Sequence, residues 1–258
     1  MRNVLTIAGR ELRTIFTSPV AYVVLTGFLI LGGWFFFNLV ARFNMLVSLY
    51  TNFEQMGESV GQLNLNEYVI APLLQNLAVV LLILIPMLTM RSFAEEKRTG
   101  TYELLLTSPI STGQIVVGKF LGVASFVTLM VALTGLYAAI LLVYGNPEIG
   151  VLVAGYLGLW LLALSFTSIG LFASSLTDNQ IIAAVTGLVM MLLLFILSWP
   201  ADSAGEPIAS LLRYLAVTEH FAELLRGIVE TKTLVYFLSL IGGWMFLAQR
   251  SVESIRWR

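Results

Sequence analysis

Six stretches without Lys, Arg, Asp, Glu or His restrict what this sequence can fold into. Each contains between 17 and 29 residues, and a helix needs about 20 residues to cross a hydrocarbon layer of roughly 30 Å. Because a chain in lipid must satisfy its own backbone hydrogen bonds, each stretch is predicted to be one helix. The stretches are Thr14–Ala41, Tyr68–Met90, Phe120–Pro147, Ile149–Thr177, Asn179–Ala201 and Thr233–Gln249. They predict an all-α integral membrane protein with six transmembrane helices.

The composition excludes several other classes of protein. With 58% hydrophobic and 11% charged residues, the chain has too little charge to cover a water-soluble globule. Its net charge of −1 gives no basic field for nucleic acid. There is no cysteine and one histidine, His220, so Cys/His metal sites lack ligands. We expect a bilayer as its surroundings, and no metal, cofactor or nucleic acid bound by this chain.

Two motifs that would indicate enzymatic activity fail on inspection. The stretch "GQIVVGK" (113–119) matches the start of a P-loop, but Phe120 follows where Ser or Thr would hold Mg²⁺. An intramembrane aspartyl protease needs two facing carboxylates, whereas Asp178 and Asp202 fall on opposite membrane sides in the six-span topology. His220 lies in an amphipathic helix pattern and is interpreted as an interfacial or hydrogen-bonded residue. The sequence predicts a non-catalytic chain.

The remaining segments complete a single transmembrane domain, 1–258. An interfacial amphipathic helix is predicted at 3–17, a polar outer loop at 42–67 and two short outer helices at 206–215 and 218–229. Glycines 118 and 122 have a spacing that permits close helix approach. The predicted spans are approximately 19–41, 68–90, 114–144, 150–174, 180–199 and 232–250.

Lysine and arginine set the predicted orientation. With the N-terminus inside, ten Lys and Arg residues fall on the inner side and four on the outer side. Since positive residues are enriched in cytoplasmic segments, we expect both termini to be cytoplasmic.

The inner segment "RSFAEEKRTGTYELLLTSP" (91–109) is the most highly charged part of the chain. Ser92 and Glu95 have capping-box spacing, which predicts that a helix begins there. The enrichment of positive residues in cytoplasmic segments is enough to explain Arg91, Lys97 and Arg98. It does not explain the acidic residues between and after them. A short amphipathic helix with both signs of charge and exposed leucine favours docking of a protein.

Polar side chains within the spans allow two interpretations. Either they line a transport pathway, or they form hydrogen bonds between helices. The residues concerned are Gln75, Asn76, Ser165, Thr167 and Ser168. Lys119 and Glu67 lie near span ends, and the absence of charge deeper in a span disfavours an ion-coupled transporter.

Two stretches resemble a known family. "FAEEKRTGTYELLLTSPISTGQIVVGKFLG" (93–122) is similar to the signature of ABC-2 type permeases, the membrane subunits of one class of ATP-binding-cassette transporters. "RYLAVTEHFAELLRGIVETKTLVYFLSL" (213–240) resembles the gliding-motility-associated branch of that family.

The resemblance implies that the 91–109 segment is a cytoplasmic coupling helix in a groove of a separate ATPase, which would bind the ATP and Mg. It implies a second, smaller contact at the inner turn around Asp178. Carried over from the family, the ATPase-coupling residues are Glu95, Glu96, Arg98, Thr101, Glu103 and Asp178.

Family architecture also implies a second permease chain, identical or paralogous, because six spans are half of the usual twelve. An accessory membrane protein with a large extracytoplasmic domain is a further implied partner, and a bacterial-type inner membrane the implied location. The leading functional hypothesis is an ATP-driven exporter. The alternative is a membrane subunit that transmits force to an extracytoplasmic partner and moves no solute.

Overall fold

The computed structural model describes residues 2–55, 63–100, 110–203 and 205–256. These residues form ten α-helices, a π-helical turn (Asn66–Ile70) and a 3₁₀ turn (Trp199–Ser203), without a strand. The helices are α1 (Arg2–Thr17), α2 (Pro19–Gln55), α3 (Ala71–Thr89), α4 (Arg91–Arg98), α5 (Thr112–Tyr144), α6 (Ile149–Leu176), α7 (Gln180–Phe195), α8 (Glu206–Leu215), α9 (Val217–Leu225) and α10 (Thr231–Arg256).

Six of the helical segments are long and apolar enough to cross a membrane. They cover Pro19–Thr51, Asn66–Arg98, Thr112–Tyr144, Ile149–Leu176, Gln180–Ala201 and Thr231–Ser254. Each contains one of the charge-free stretches almost entirely, so the prediction of an all-α protein with six candidate spans is confirmed. Of the two short helices predicted after the fifth span, α8 has the predicted bounds, 206–215, whereas α9 ends at Leu225, four residues before the predicted end at 229.

The predicted loop at 42–67 is wrong in its first half, because α2 continues as a helix to Gln55. No glycine or proline occurs between Pro19 and Met56 except the glycines at 27, 32 and 33. Polar residues after Arg42 end the apolar stretch but do not disfavour the helical backbone. Hydrophobicity therefore marks the end of the predicted span and not the end of the helix.

Helices α3 and α6 form the centre of the bundle. In the most apolar window of each span, 56% of the residues are buried, against 17–22% in α2, α7 and α10. Glycines permit the close contact between α3 and α6, since a Cβ at Gly155 would lie 2.7 Å from Leu74 Cδ1 and one at Gly170 would collide with Thr89. The peripheral helices leave apolar faces uncovered, as expected of a protein in lipid.

The bundle has two ends with different structures. At one end, called the α4 end, lie α4, the first residues of α5 and the last residues of α6, joined by Ser174 and Lys119. At the other, called the α9 end, α9 packs on α6, where a Cβ at Gly158 would lie 2.9 Å from Leu224 Cβ. Asn66 Nδ2 also donates to the Glu148 carbonyl there (3.2 Å), tying the π-helical turn to the α5–α6 connection.

Candidate functional site

Helix α4 is held at its N-terminus by a side chain from α6. The Ser174 hydroxyl oxygen accepts hydrogen bonds from the backbone N–H groups of Phe93 and Ala94, both at 3.1 Å. The same hydroxyl donates to the Met90 carbonyl at 3.0 Å. A helix N-terminus has unsatisfied N–H groups that normally need a local cap. Here the cap comes from a residue 80 or more positions away.

The predicted Ser92–Glu95 capping box is therefore wrong. Ser92 is buried inside α4, and the residue at the N-cap position is Met90, whose backbone is helical and whose side chain makes no capping bond. Because only Met90 separates α3 from α4, the chain never leaves the helical region there and has no extended residue that could act as a cap.

Four charged side chains form a cluster, the charged junction, between α1, α4 and α5. Lys119 Nζ lies 2.9 Å from Glu96 Oε1 and 3.1 Å from Glu11 Oε2. Arg10 Nη2 lies 3.2 Å from the same Glu96 oxygen. The Lys119 ammonium also lies 5.2 Å from the centroid of the Phe93 ring, within range of a cation–π contact. The junction thus connects three segments that are far apart in the sequence.

The junction is largely shielded from solvent. The Lys119 side chain is 2% exposed, and those of Glu96 and Glu11 are 12% and 13% exposed. A buried charge is costly unless it is paired and hydrogen-bonded. Lys119 is tolerated there because two carboxylates surround it, so the junction depends on α1 and α4 both keeping their positions against α5.

Two glycines on α5 allow α1 to approach this closely. A Cβ at Gly118 would lie 2.7 Å from Ile7 Cβ, and one at Gly122 would lie 2.6 Å from Glu11 Cβ. Further along, the Phe16 and Phe126 rings pack edge to face at 5.3 Å. Helix α1 therefore runs beside the first half of α5 in the same direction, and the close approach predicted from the glycine spacing is confirmed. The predicted interfacial helix is tied to a span along its length.

The predicted ATPase-coupling residues separate into two groups. Glu96 faces inward to the charged junction, whereas Arg98 is exposed and Glu95 is half-buried on the rim. Exposed Asp178, in the α6–α7 turn, lies close enough to interact electrostatically with Lys97, whose ammonium donates to the Ser175 carbonyl. The structure thus brings α4 and the turn into one surface. Thr101 and Glu103 lie outside the described residues.

The candidate pathway residues also fall into two groups. Gln75 and Asn76 line a cavity of about 260 Å³ at the α9 end, together with Phe195, Thr218 and Phe221. Three other residues are fully buried in α6, and their hydroxyls donate to carbonyls of their own helix at 2.7–2.9 Å: Ser165, Thr167 and Ser168. Those three do not line this cavity.

His220 has a structural environment at the α9 end. Its Nε2 lies 3.0 Å from the Tyr214 carbonyl oxygen, and its ring stacks on Tyr236 at 4.0 Å. Nearby, Glu223 Oε2 accepts a hydrogen bond of 2.6 Å from the Thr233 hydroxyl, and this bond lowers the pKa of the Glu223 carboxyl, helped by Lys232 and opposed by burial. The interpretation of His220 as a hydrogen-bonded residue is confirmed.

The contacts of four residues at the α4 end are not predicted from the sequence: Arg10, Glu11, Lys119 and Ser174. Arg10 was assigned to the polar face of an interfacial helix, and Lys119 to a span end near an interface. One signal was available, since Lys119 lies between two glycines that bring a second helix within reach. No sequence signal indicates the role of Ser174, because a helix cap supplied from a distant segment leaves no local pattern.

Comparison with known proteins gives two findings. The family described as ABC-2 family transporter protein matches residues 5–248. Among curated proteins, the chain is 34% identical over 125 residues to "Probable multidrug ABC transporter permease YbhR" of Escherichia coli strain K12, and equally to the protein of that name in Escherichia coli O157:H7. The similar region covers 47% of this chain and 33% of each relative, so the chain spans about a third of their length.

Proposed function

This chain belongs to the ABC-2 family of transporter proteins, and from that premise we propose that it is the permease through which a separate ATPase drives export. Members of the family are non-catalytic membrane subunits, and ATP hydrolysis belongs to another chain. The chain is a multi-pass membrane protein. The ATP and the Mg²⁺ would be bound by the ATPase.

The arrangement of α4 is the observation that supports this proposal most strongly. The helix is fixed on its inner side by Ser174 and by the charged junction, while Glu95 and Arg98 remain at its accessible side. Asp178 extends the same surface from the α6–α7 turn. A helix that is anchored to several elements and still presents both signs of charge fits a groove of a partner protein. The ATPase would dock there, with Thr101 and Glu103 continuing the contact.

The anchors of α4 also indicate how movement would pass into the membrane. A displacement of α4 would be transmitted to α6 through Ser174, to α5 through Lys119 and to α1 through Arg10. Since packed helices move as nearly rigid bodies, the spans would tilt together. Glu96 would then transmit force within this chain, and the exposed residues of α4 would receive it.

The assembly would contain two permease chains. Six spans are half of the twelve usual for such transporters, so a second copy or a paralogue completes the membrane part. Both termini would face the cytoplasm of a bacterial-type inner membrane, which places the α4 end on the side of the ATPase. An accessory membrane protein with a large extracytoplasmic domain would contact the α9 end.

The cavity at the α9 end bears on the cargo. It combines the carboxamides of Gln75 and Asn76 with the aromatic rings of Phe195 and Phe221. Such a lining suits an amphipathic organic compound, which is consistent with the word "multidrug" in the name of the partly matching relatives. The fully buried hydroxyls of α6 offer no polar path for a hydrated sugar. Force transmission to an outer partner without solute movement is the alternative.

Charge reversal at the accessible side of α4 tests the docking. We expect Glu95→Lys combined with Arg98→Glu to abolish capture of an ATP-binding-cassette ATPase from native membranes, as identified by mass spectrometry. The control is Glu206→Lys, an exposed reversal at the α9 end that should leave capture unchanged. Glu96 is excluded from the variant because its reversal would also break the charged junction. Undiminished capture by the double variant would contradict the docking surface.

Reconstitution in vesicles separates the two functional hypotheses. The complex with its ATPase should move an amphipathic fluorescent dye in the direction of export when ATP is added. Gln75→Ala combined with Asn76→Ala should slow dye movement while ATP turnover persists. If ATP is hydrolysed without movement of any tested amphiphile, while a bound outer partner changes conformation, force transmission is the function.

A further inference from the structure

A second cavity, of about 480 Å³, lies at the α4 end, enclosed by α1, the start of α2, the end of α3 and α4. Its polar lining includes all four residues of the charged junction together with Ser18, Arg91 and Glu95. Its apolar lining consists of Ile15, Pro19, Val20, Ala21, Met87 and Leu88. These apolar residues come mainly from the first turn of one span and the last turn of another. The cavity therefore lies where a polar surface meets the membrane ends of two spans.

Arg91 is the cation in this cavity that lacks a carboxylate. Its Nη1 donates to the Ser18 hydroxyl at 3.1 Å, and its Nε is buried without a hydrogen-bond partner. Across the described residues, no carboxylate lies within 4.0 Å of the Arg91 guanidinium, although Glu95 lines the same cavity. A buried guanidinium N–H without a partner is costly, and such a group is usually satisfied by an anion or a water molecule.

Three cations and three carboxylates line the cavity, and the four charges of the charged junction balance one another. Lys119 is paired with Glu11 and Glu96, and Arg10 is paired with Glu96. Two cations thus face two carboxylates within the charged junction. Arg91 stands apart from this cluster, on the side of the cavity where Ser18 and the span ends lie.

We propose that this cavity binds the headgroup of an anionic phospholipid from the leaflet that surrounds the α4 end. The phosphate would pair with the Arg91 guanidinium and accept a hydrogen bond from the Ser18 hydroxyl, because guanidinium groups pair well with phosphate oxygens. The glycerol and upper acyl chains would pack against Val20, Met87 and Leu88. The inference is independent of the ATPase and of the cargo, since only Glu95 is shared with the docking surface, Arg91 and Ser18 are not part of that surface, and the cavity at the α9 end is not involved.

Lipid retention by the purified chain tests the inference. The full chain is placed in nanodiscs containing equal amounts of phosphatidylglycerol and phosphatidylcholine, then extracted in mild detergent, and retained lipids are counted by native mass spectrometry. We expect phosphatidylglycerol to be retained about fivefold over phosphatidylcholine, the preference that one basic residue near a membrane surface produces. Arg91→Gln should reduce the ratio to about one, and Arg91→Lys should keep most of it.

Two controls make the experiment decisive. Arg98→Gln removes a cation from the exposed side of the same helix, outside the cavity, and should lower the ratio less than Arg91→Gln does. Met87→Trp fills the cavity without altering charge and should lower retention of phosphatidylglycerol, which keeps the proposal testable if Arg91→Gln does not fold. A preference that survives both Arg91→Gln and Met87→Trp would overturn the proposal, as would an equal loss in Arg98→Gln. Displacement of the lipid by excess inorganic phosphate would assign the site to a soluble phosphate and overturn the lipid as its source.

Discussion

Two lysines at opposite ends of the molecule each contact two carboxylates, but their exposure to solvent differs. Lys119, at the α4 end, contacts two carboxylates at 2.9 and 3.1 Å and is 2% exposed. Lys232, at the α9 end, contacts two carboxylates at 2.9 and 3.3 Å and is 52% exposed. The partners of Lys119 come from α1 and α4, and Glu11 is 108 positions away in the sequence. Those of Lys232 are Glu223 and Glu230, nine and two positions before it.

The difference shows which end joins separate helices through a buried ion pair. Water can replace a lost partner of Lys232, because solvent already surrounds it. Lys119 is 2% exposed, so α1, α4 and α5 have to move together or break a buried ion pair. The α9 end is instead made from consecutive helices, α8 to α10, joined by bonds such as that from the Tyr236 hydroxyl to the Leu215 carbonyl (2.7 Å).

Removing the two lysine charges should give the largest contrast. Lys119→Met leaves Glu11 without a cation and Glu96 with only the exposed Arg10, and breaking a buried pair in this way costs about 3–5 kcal/mol. Lys232→Met should cost less than about 1 kcal/mol, since exposed ion pairs contribute little. The measurement is the free energy of unfolding in mixed detergent micelles.

Neutralising Glu11 and Glu96 tests whether unpaired buried carboxylates cause the loss of stability in Lys119→Met. Adding Glu11→Gln and Glu96→Gln to Lys119→Met should recover part of the loss, because the only charge then left in the junction is that of Arg10, whose side chain is 63% exposed. Equal stability of the two lysine variants would contradict the importance of burial at the α4 end.

Loss of the cap on α4 should have the next largest effect. Ser174→Ala leaves the buried N–H groups of Phe93 and Ala94 without an acceptor, at a cost of about 2–3 kcal/mol. Amide hydrogen exchange in α4 should accelerate accordingly. Ser125→Ala is the matched control, since that exposed hydroxyl bonds only to Leu121 of its own helix. Unchanged exchange in the first turn of α4 would show that the cap is not what fixes this helix.

Gly100 and Gly227, which follow the ends of α4 and α9, both have a positive φ, so the two helix ends can be compared. A Cβ at Gly100 (φ +72°) would have no atom of the described residues within 4 Å beyond its chain neighbours, whereas one at Gly227 (φ +82°) would lie 2.9 Å from Val151 Cγ2. Gly227 also turns the chain toward α10, with the Ile228 N–H donating to the Glu223 carbonyl at 3.0 Å. Gly100→Ala should cost about 1 kcal/mol through backbone strain, and Gly227→Ala about 2 kcal/mol because a steric contact is added.

Thermal unfolding of the two glycine variants measures this difference. If Gly100→Ala is the more destabilising, the packing of α9 on α6 has room that the static distances do not indicate.

The features of the fold that were predicted correctly are those that depend on residues close together in the sequence. The length of an apolar stretch and the spacing of Gly118 and Gly122 act over a few turns of helix, so the six candidate spans and a close helix approach at these glycines were predicted. That α1 is the helix that approaches was not predicted. The charged junction depends on which helices become neighbours, and the periodicity around Glu11, Glu96 or Lys119 carries no such information. Glu95 and Glu96 are adjacent in the sequence and were assigned one role, yet the turn of the helix directs them to different surroundings.

The smallest predicted effect concerns the pH dependence at the α9 end. The Thr233 hydroxyl holds the pKa of the Glu223 carboxyl below its ordinary value, so the ionised form stabilises the folded state at neutral pH. Because the folded pKa is the lower one, this contribution is complete above the unfolded pKa and is lost as the pH falls through the folded pKa. Thr233→Val should therefore lower stability at pH 7 by less than about 1 kcal/mol, solvent screening limiting the effect at a partly exposed carboxylate. The difference between the two proteins should shrink on acidification, as measured by thermal unfolding over a series of pH values. If the difference stays constant down to strongly acidic pH, Thr233 stabilises the protein through packing alone. The lowered pKa of Glu223 would then contribute nothing to the stability of the α9 end.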